Sequence, residues 1–247
     1  MTEIGSQPRR LKSMHERNHL LNVLPQADLD LLLEFSSFES LPLGTVLHER
    51  NSHISKVYFP LNCVVSLLYE LRDGDTAEVA VIGNEGLAGL PVLMGGGHSP
   101  HRAVIQAAGD ALSVKSADIL DLARRSKAVQ RVFMIYSQAL AIQIGQTAVC
   151  NRHHRVEQQL CRWLLMSLDR LGSNHISMTQ ELIANMLGVR RASVTEMAGK
   201  LQQEGIISYQ RGRIMVHKRK ALETRCCECY QVVREEYDRL LPLVHGD

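Results

Sequence analysis

The sequence predicts an α+β chain with a β-rich N-terminal half, one long helix, and a C-terminal half of short helices and a small hairpin. Three observations lead there. Between Phe38 and Lys115, short runs of Val, Ile, Leu and Tyr alternate with Gly, Pro, Asn and Asp, the texture of strands joined by turns. Lys127–Cys150 then runs without a proline, its apolar residues recurring every three or four positions. Beyond it, shorter helical segments are stopped by glycines at 172 and 188. With 247 residues, 45% of them hydrophobic and 22% charged, the chain is neither disordered nor low-complexity, and two domains are expected.

Element by element, the first 17 residues are polar and basic without a clear period, and read as a mobile arm. Leu20–Leu33 is leucine-rich, but Pro25 interrupts it, so two short helices are expected. The strand candidates are Thr45–Glu49, Lys56–Phe59, Cys63–Leu71, Thr76–Ile82, Ala103–Ala107 and Ala111–Val114, with a hairpin at Asp73-Gly74-Asp75. A short helix follows over Ala117–Arg125. On the long helix, Val132, Phe133, Tyr136, Ala139, Leu140 and Gln143 form one stripe. It is read as the seam with a second copy of the chain, with packing on the β-rich half as the alternative. His153–Leu171 makes a further helix, with Val156, Leu160, Trp163, Leu164 and Leu168 on one face.

Composition narrows the function. Aromatics at 4% argue against a base-stacking platform. No run approaches about 18 uninterrupted apolar residues, so no membrane partner is expected. Six cysteines without a visible secretory signal read as reduced thiols in the cytoplasm. No nucleophile elbow, phosphate-binding glycine loop or catalytic triad stands out, and an enzyme is not expected. The net charge of +2 conceals an asymmetry: residues 1–150 hold 13 Lys+Arg against 15 Asp+Glu, and residues 151–247 hold 15 against 11. Arg190–Lys220 alone has eight basic residues against Glu196 and Glu204, a local excess that attracts a polyanion.

The decisive segment is 179–201. Thr179 is placed to cap a first helix, with Leu182, Ile183, Met186 and Leu187 facing inward. Gly188 supplies a sharp turn, and a second helix starts near Arg190 with Val194, Met197, Ala198 and Leu201 inward. Arg190, Arg191, Ser193, Thr195, Glu196 and Lys200 are left on the polar side. Two helices across a tight glycine turn, the second offering arginines and hydroxyls at its start, match a DNA-reading helix-turn-helix. Gly205–Tyr209 and Arg213–Val216 then predict a hairpin with a basic tip, a wing able to lay Arg211 and Arg213 on phosphates. Double-stranded DNA is therefore the expected partner, through Thr179, Gln180 and these residues. An ordinary helical pair capped by a hairpin, or a regulatory module acting through a protein partner, is the alternative.

These segments resemble the cyclic-AMP receptor/fumarate-nitrate regulator (Crp/Fnr) family of bacterial transcription regulators. The resemblance rests on Leu-Pro-Leu-Gly-Thr-Val-Leu at 41–47, Val57-Tyr58-Phe59, Asp73-Gly74 followed by Glu78–Gly83, the long helix and 179–201. It implies an N-terminal double-stranded β-helix (a jelly-roll, cyclic-nucleotide-binding-like sensor) over 18–126. A dimerisation helix over 127–150 and a winged helix-turn-helix domain over 151–247 would follow. It also implies a homodimer on palindromic promoter sites, with RNA polymerase and a small-molecule effector as further partners. Arg191 matches the family's recognition-helix arginine, which reads guanine O6 and N7. Ser193 matches a hydroxyl contact, whereas Ala192 replaces the usual glutamate and Glu196 stands where some members have a basic reader.

The sensor departs further from the family. Asn84–Pro91 occupies the phosphate cassette, with Leu90 where the ribose-binding glutamate would be, and His101-Arg102 stands for the later Arg-Ser pair. Gly86, Gly89, Leu90, His101 and Arg102 are the candidate effector pocket. Loss of the carboxylate leaves a ribose hydroxyl unpaired at a cost of roughly 1–3 kcal/mol, which disfavours a cyclic nucleotide as cofactor. The first cysteine is Cys63, so the N-terminal cysteines of the family's iron–sulfur branch are not seen. Cys226, Cys227 and Cys229 fall in an expected C-terminal helix over Lys218–Leu241. There Cys226 and Cys229 would share a face as buried thiols, with a metal or redox pair as the sharper reading. No metal is expected, and His153-His154 are read as surface residues at a hinge, with a pH- or haem-linked switch as the sharper reading.

Overall fold

The computed structural model describes residues 14–241; most of the expected N-terminal arm lies outside the described residues. After a single 3-10 turn, α1 (His19–Asn22) and α2 (Gln26–Glu34) are separated at Pro25, as expected. Asn18 fixes them to the sheet. Its Oδ1 accepts from the Leu21 N–H at 3.1 Å, and its Nδ2 donates to the Pro60 and Gly86 carbonyls at 2.9 Å each.

Seven strands follow: β1 (Ser37–Leu41), β2 (Val46–His48), β3 (Lys56–Pro60), β4 (Val64–Glu70), β5 (Thr76–Ile82), β6 (Arg102–Ala107) and β7 (Gly109–Lys115). They form two antiparallel sheets, ordered β1-β7-β3 and β2-β6-β4-β5. Phe59 and Leu112 from the first sheet and Ile82 and Ile105 from the second are fully buried between them. The Asp73-Gly74 hairpin forms with Gly74 at φ 90° and the Asp73 carboxylate accepting from the Asp75 N–H. Strand β1 was not anticipated, because only Leu41 of its five residues is buried and it has no apolar run to read.

Helices α3 (Ser116–Arg125) and α4 (Lys127–His153) come next, with Ser126 capping α4 through its hydroxyl on the Val129 N–H. The α4 stripe corrects the expectation of a seam with a second chain. Phe133, Tyr136, Ala139, Leu140 and Gln143 are buried within this chain, and Val132 is half-buried. The Tyr136 hydroxyl donates to the Leu87 carbonyl at 3.0 Å, and Gln143 Nε2 donates to the Val81 carbonyl at 2.9 Å. The apolar stripe is thus satisfied by the β-roll. Among the described helices, α4 alone is long and apolar enough to cross a membrane by length and composition.

His154 and Arg155 are extended, so α5 starts at Val156 and turns back along the β-roll to Leu171. Gln159–Leu168 is buried without a break, where a single buried face was expected. The helix lies between β4–β5 on one side and the C-terminal domain on the other, so its middle has no free face. That domain comprises β8 (His175–Ser177), α6 (Gln180–Leu187), α7 (Arg191–Gln203), β9 (Ile207–Gln210), β10 (Arg213–Val216), α8 (Arg219–Arg225) and α9 (Glu228–Leu240), with sheet order β8-β10-β9. The expected continuous C-terminal helix is broken, because Cys226 and Cys227 are both extended. The break lets α9 turn and pack along α4. Cys226 and Cys229 therefore do not share a helix face. His153 is exposed as expected, but His154 is half-buried and turned inward.

Candidate nucleic-acid interface

Helices α6 and α7 are held at an angle by a three-residue turn whose first residue, Gly188, has φ 64° and ψ 35°. A side chain there would be strained, which is why glycine stands at that position. Thr179 caps α6, its hydroxyl accepting from the Leu182 N–H at 3.3 Å. Ile183, Ala184 and Leu187 meet Val194, Ala198 and Leu201 in a shared core, with Met197 half-buried and Met186 buried beside β5. Leu182 is a correction. It was expected inward and is 38% exposed, one position short of the buried arc that Ile183 and Met186 occupy.

The polar side of this pair is contiguous with the wing. Thr195 Oγ1 donates to Gln180 Oε1 at 2.7 Å, tying α7 to the start of α6. The Met178 N–H donates to the Gly212 carbonyl at 2.7 Å, and the Tyr209 hydroxyl donates to the Met178 carbonyl at 2.7 Å. These contacts seat the hairpin tip beside Thr179. Burial pushes the Tyr209 phenol up to about 12, so it stays a proton donor in that role. The tip itself is Arg211-Gly212, both at positive φ (49° and 77°), a two-residue reversal that matches the twist of the flanking strands. Arg190, Arg191, Arg211 and Arg213 are exposed and take part in no ion pair among the described residues. Arg190 and Arg191 begin α7, where the helix dipole adds further positive potential. Ser193 is half-buried and Glu196 pairs with Lys200 at 2.9 Å, an exposed pair worth little in stability that lowers the free charge of Lys200.

The candidate effector residues fall into two separate groups. Gly86 lies under Tyr136, where a Cβ would come within 2.3 Å of the ring, so its glycine serves close helix packing. Gly89 is left-handed beside Val57, and Leu90 is buried. His101 stacks edge-on to Tyr69, and half-exposed Arg102 pairs with Glu49 at 3.0 Å. A cavity of about 240 Å³ lies elsewhere, between the Asn84-Glu85 loop and α9, with Arg170, Tyr230 and Tyr237 among its walls.

The sequence reading missed the layer that seats the helix-turn-helix domain on the β-roll. Met186, Leu187 and Gly188 lie against β5. Arg170 donates to Glu85 Oε1 at 2.8 Å, to Gln143 Oε1 at 2.7 Å and to the Met166 carbonyl at 3.0 Å. Glu78 is buried and accepts from Ser66 Oγ at 2.5 Å. Desolvation pushes its carboxyl up to about 7, against the opposing pull of the Ser66 hydrogen bond and of Arg162 and Arg170. The only available signal was a charged residue inside an apolar strand pattern, Glu78 in Thr76–Ile82.

Residues 158–225 match the Crp-like helix-turn-helix domain family. In fold, the chain is similar to FixK2 from Bradyrhizobium japonicum (16% identity, TM-score 0.68, covering 78% of this chain and 98% of that one). It is similar also to a transcriptional regulator of the CRP family from Thermus thermophilus (15%, 0.64, 76% and 95%). A third similar fold is the c-di-GMP-responsive global regulator CLP of Xanthomonas campestris (12%, 0.61, 78% and 99%). No curated protein matches the sequence.

Proposed function

We infer that this chain, a DNA-binding transcription regulator of the Crp/Fnr type, acts in the cytoplasm as a homodimer on palindromic promoter sites, with one α7 in each of two successive major grooves. The observation that supports this most is the continuous exposed face from α7 to the wing, with four arginines free of ion pairs among the described residues. Arg191, at the first position of α7, reads a base edge, and Arg190 flanks it. Thr179, Gln180, Ser193, Thr195 and Lys200 line the approach, with Glu196 beside Lys200. Arg211 and Arg213 hold phosphates and set orientation. The proposed division is a sensor over 18–126, a helix over 127–150 and a DNA-binding domain over 151–247. The chain is not an enzyme, and RNA polymerase is the protein it would contact at the promoter.

The dimer face is the side of α4 that the β-roll leaves uncovered. Met134, Gln138, Ala141, Gly145 and Ala148 are partly or fully exposed at alternating steps of four and three, a heptad spacing. Met134 is 71% exposed and Val149 48% exposed. A Cβ on Gly145 would meet nothing within 4 Å, so nothing within the chain calls for glycine there, whereas close approach of a second helix does. Selection from a random DNA pool should return an inverted repeat with half-site centres one helical turn, about 34 Å, apart. An unpaired half-site would refute the dimeric reading. Ala141→Glu should sediment as a monomer, since it sets like charges across the twofold; a persisting dimer would remove α4 as the interface.

The effector belongs to the same reading. Leu90 is buried as an apolar core residue and Arg102 is engaged with Glu49, so Gly86, Gly89, Leu90, His101 and Arg102 offer a cyclic nucleotide no carboxylate for its ribose. Calorimetry with cyclic AMP should give no saturable heat; tight binding would overturn this.

A further inference from the structure

Where α4 ends and α9 begins, four side chains from distant parts of the sequence converge. Cys150 and His154 come from the C-terminal end of α4, Cys227 caps α9, and Cys229 lies in its first turn. Their ligand-type atoms all lie within 4.8 Å of one another, and the three cysteines are buried. Cys150 Sγ and Cys227 Sγ are 3.6 Å apart, and Cys229 Sγ lies 3.4 Å from His154 Nδ1. Bonds of about 2.3 Å to sulfur and about 2.0–2.1 Å to nitrogen around a tetrahedral zinc place such atoms about 3.8 Å and about 3.6 Å apart. The Cys150–Cys227 and Cys229–His154 separations are already close to those edges, and no pair among the four exceeds 4.8 Å. An iron–sulfur cluster distributes its cysteines over several irons, and four ligands this close leave room for one ion only.

The surroundings fit a metal better than a packed set of thiols. His154 presents Nδ1 to the cluster while its Nε2 faces Glu228 Oε2 at 3.3 Å. A carboxylate behind the far ring nitrogen is the arrangement that fixes the tautomer of a metal-bound histidine. Gln146 Nε2 donates to Cys229 Sγ at 3.1 Å, a contact that stabilises thiolate charge. The buried Arg162 acts electrostatically on Cys150, which offsets the single negative charge that three thiolates leave around a divalent ion. Cys226, next in sequence, is not one of the four.

We propose that Cys150, His154, Cys227 and Cys229 form a Cys3His site for one zinc ion, clamping the end of α4 to the start of α9. Binding would release three thiol protons to solvent and leave the histidine neutral, so the site loads less well as pH falls. It also gives the break at Cys226-Cys227 a purpose, since a continuous helix would not aim both Cys227 and Cys229 at α4. The inference rests on side-chain geometry and is independent of DNA binding.

The test uses the untagged full chain. Elemental analysis should find about one zinc per chain, and in thiol titration three further cysteines should become reactive when a chelator is added, with Cys63 and Cys161 buried in the core either way. Cys229→Ser and His154→Ala should lose the metal, while Cys226→Ser keeps it. Glu228→Gln should weaken zinc affinity about tenfold. Exchange with cobalt gives a readout that needs no variant: sulfur-to-metal charge transfer together with tetrahedral d–d bands. No metal, a different metal at that stoichiometry, two thiols released by reductant but not by chelator (a Cys150–Cys227 disulfide), or zinc retained in Cys229→Ser would each overturn the proposal.

Discussion

Arginines do opposite work in two regions of this molecule. On α7 and the wing, Arg190, Arg191, Arg211 and Arg213 are exposed and without ion-pair partners among the described residues. On α5, Arg162 and Arg170 are buried, their guanidinium groups engaged with Thr147, Glu85 and Gln143. The same residue type is left in solvent in one place, where we propose that a polyanion binds, and used as an interdomain fastener in the other. The difference lies in what desolvation costs. A charge left in water keeps its hydration until a phosphate replaces it, whereas a charge taken inside must find its compensation within the fold.

The strongest way to break the comparison is at Arg170. Arg170→Ala strands Glu85, whose side chain is only 15% exposed, and should cost about 3–5 kcal/mol, read as a large drop in the denaturant midpoint. Adding Glu85→Leu should restore much of that loss. If Arg170→Ala is no more destabilising than a surface substitution, the fastener role is wrong.

At the binding face the same truncation should act on DNA and leave folding alone. Arg191→Ala should weaken specific binding by about 1–3 kcal/mol and relax preference at one base pair, with an unchanged thermal midpoint. Equal losses on specific and nonspecific DNA would show that Arg191 reads no base.

Glu78 sharpens the contrast from the acid side. Its carboxyl, raised by burial to about 7, binds a proton more readily folded than unfolded. The contribution of Glu78 to stability is therefore fully present below the unfolded value near 4.5 and is lost as pH rises through the window to about 7. Glu78→Gln should remove that slope and stabilise the protein at pH 8 by on the order of 2 kcal/mol. An unchanged slope between pH 5 and pH 7 would assign the dependence to another group. The smallest effect is expected at the wing, where Arg211→Ala should reduce the slope of log affinity against log salt by about 1. A shift in preferred sequence instead would make it a reader.

Local signals made much of the architecture legible. The two short helices at Pro25, the hairpin at Asp73-Gly74, the Thr179 cap and the Gly188 turn each depend on residues within a few positions of one another. Burial of Ile183, Val194, Ala198 and Leu201 followed from helical spacing alone. Other features were hidden for definite reasons. The α4 stripe announced that something covers it, but a period cannot say whether the cover is a sheet of the same chain or a second helix. The single face expected on α5 became burial all round because two domains enclose that helix. The expected helix over Lys218–Leu241 broke at Cys226-Cys227, where no proline or glycine marks a stop.

The sequence by itself determined most of the element types, the helix-turn-helix with its basic wing, and the charge that points to the partner we propose, because these are consequences of neighbours along the chain. Only the tertiary structure decided which face of α4 remains open, which arginines are sequestered, and that Cys150 and His154 meet Cys227 and Cys229 across more than seventy residues. Those outcomes depend on which surfaces compete for the same apolar area. That competition is settled by the packing of the whole chain, and no window of sequence contains it.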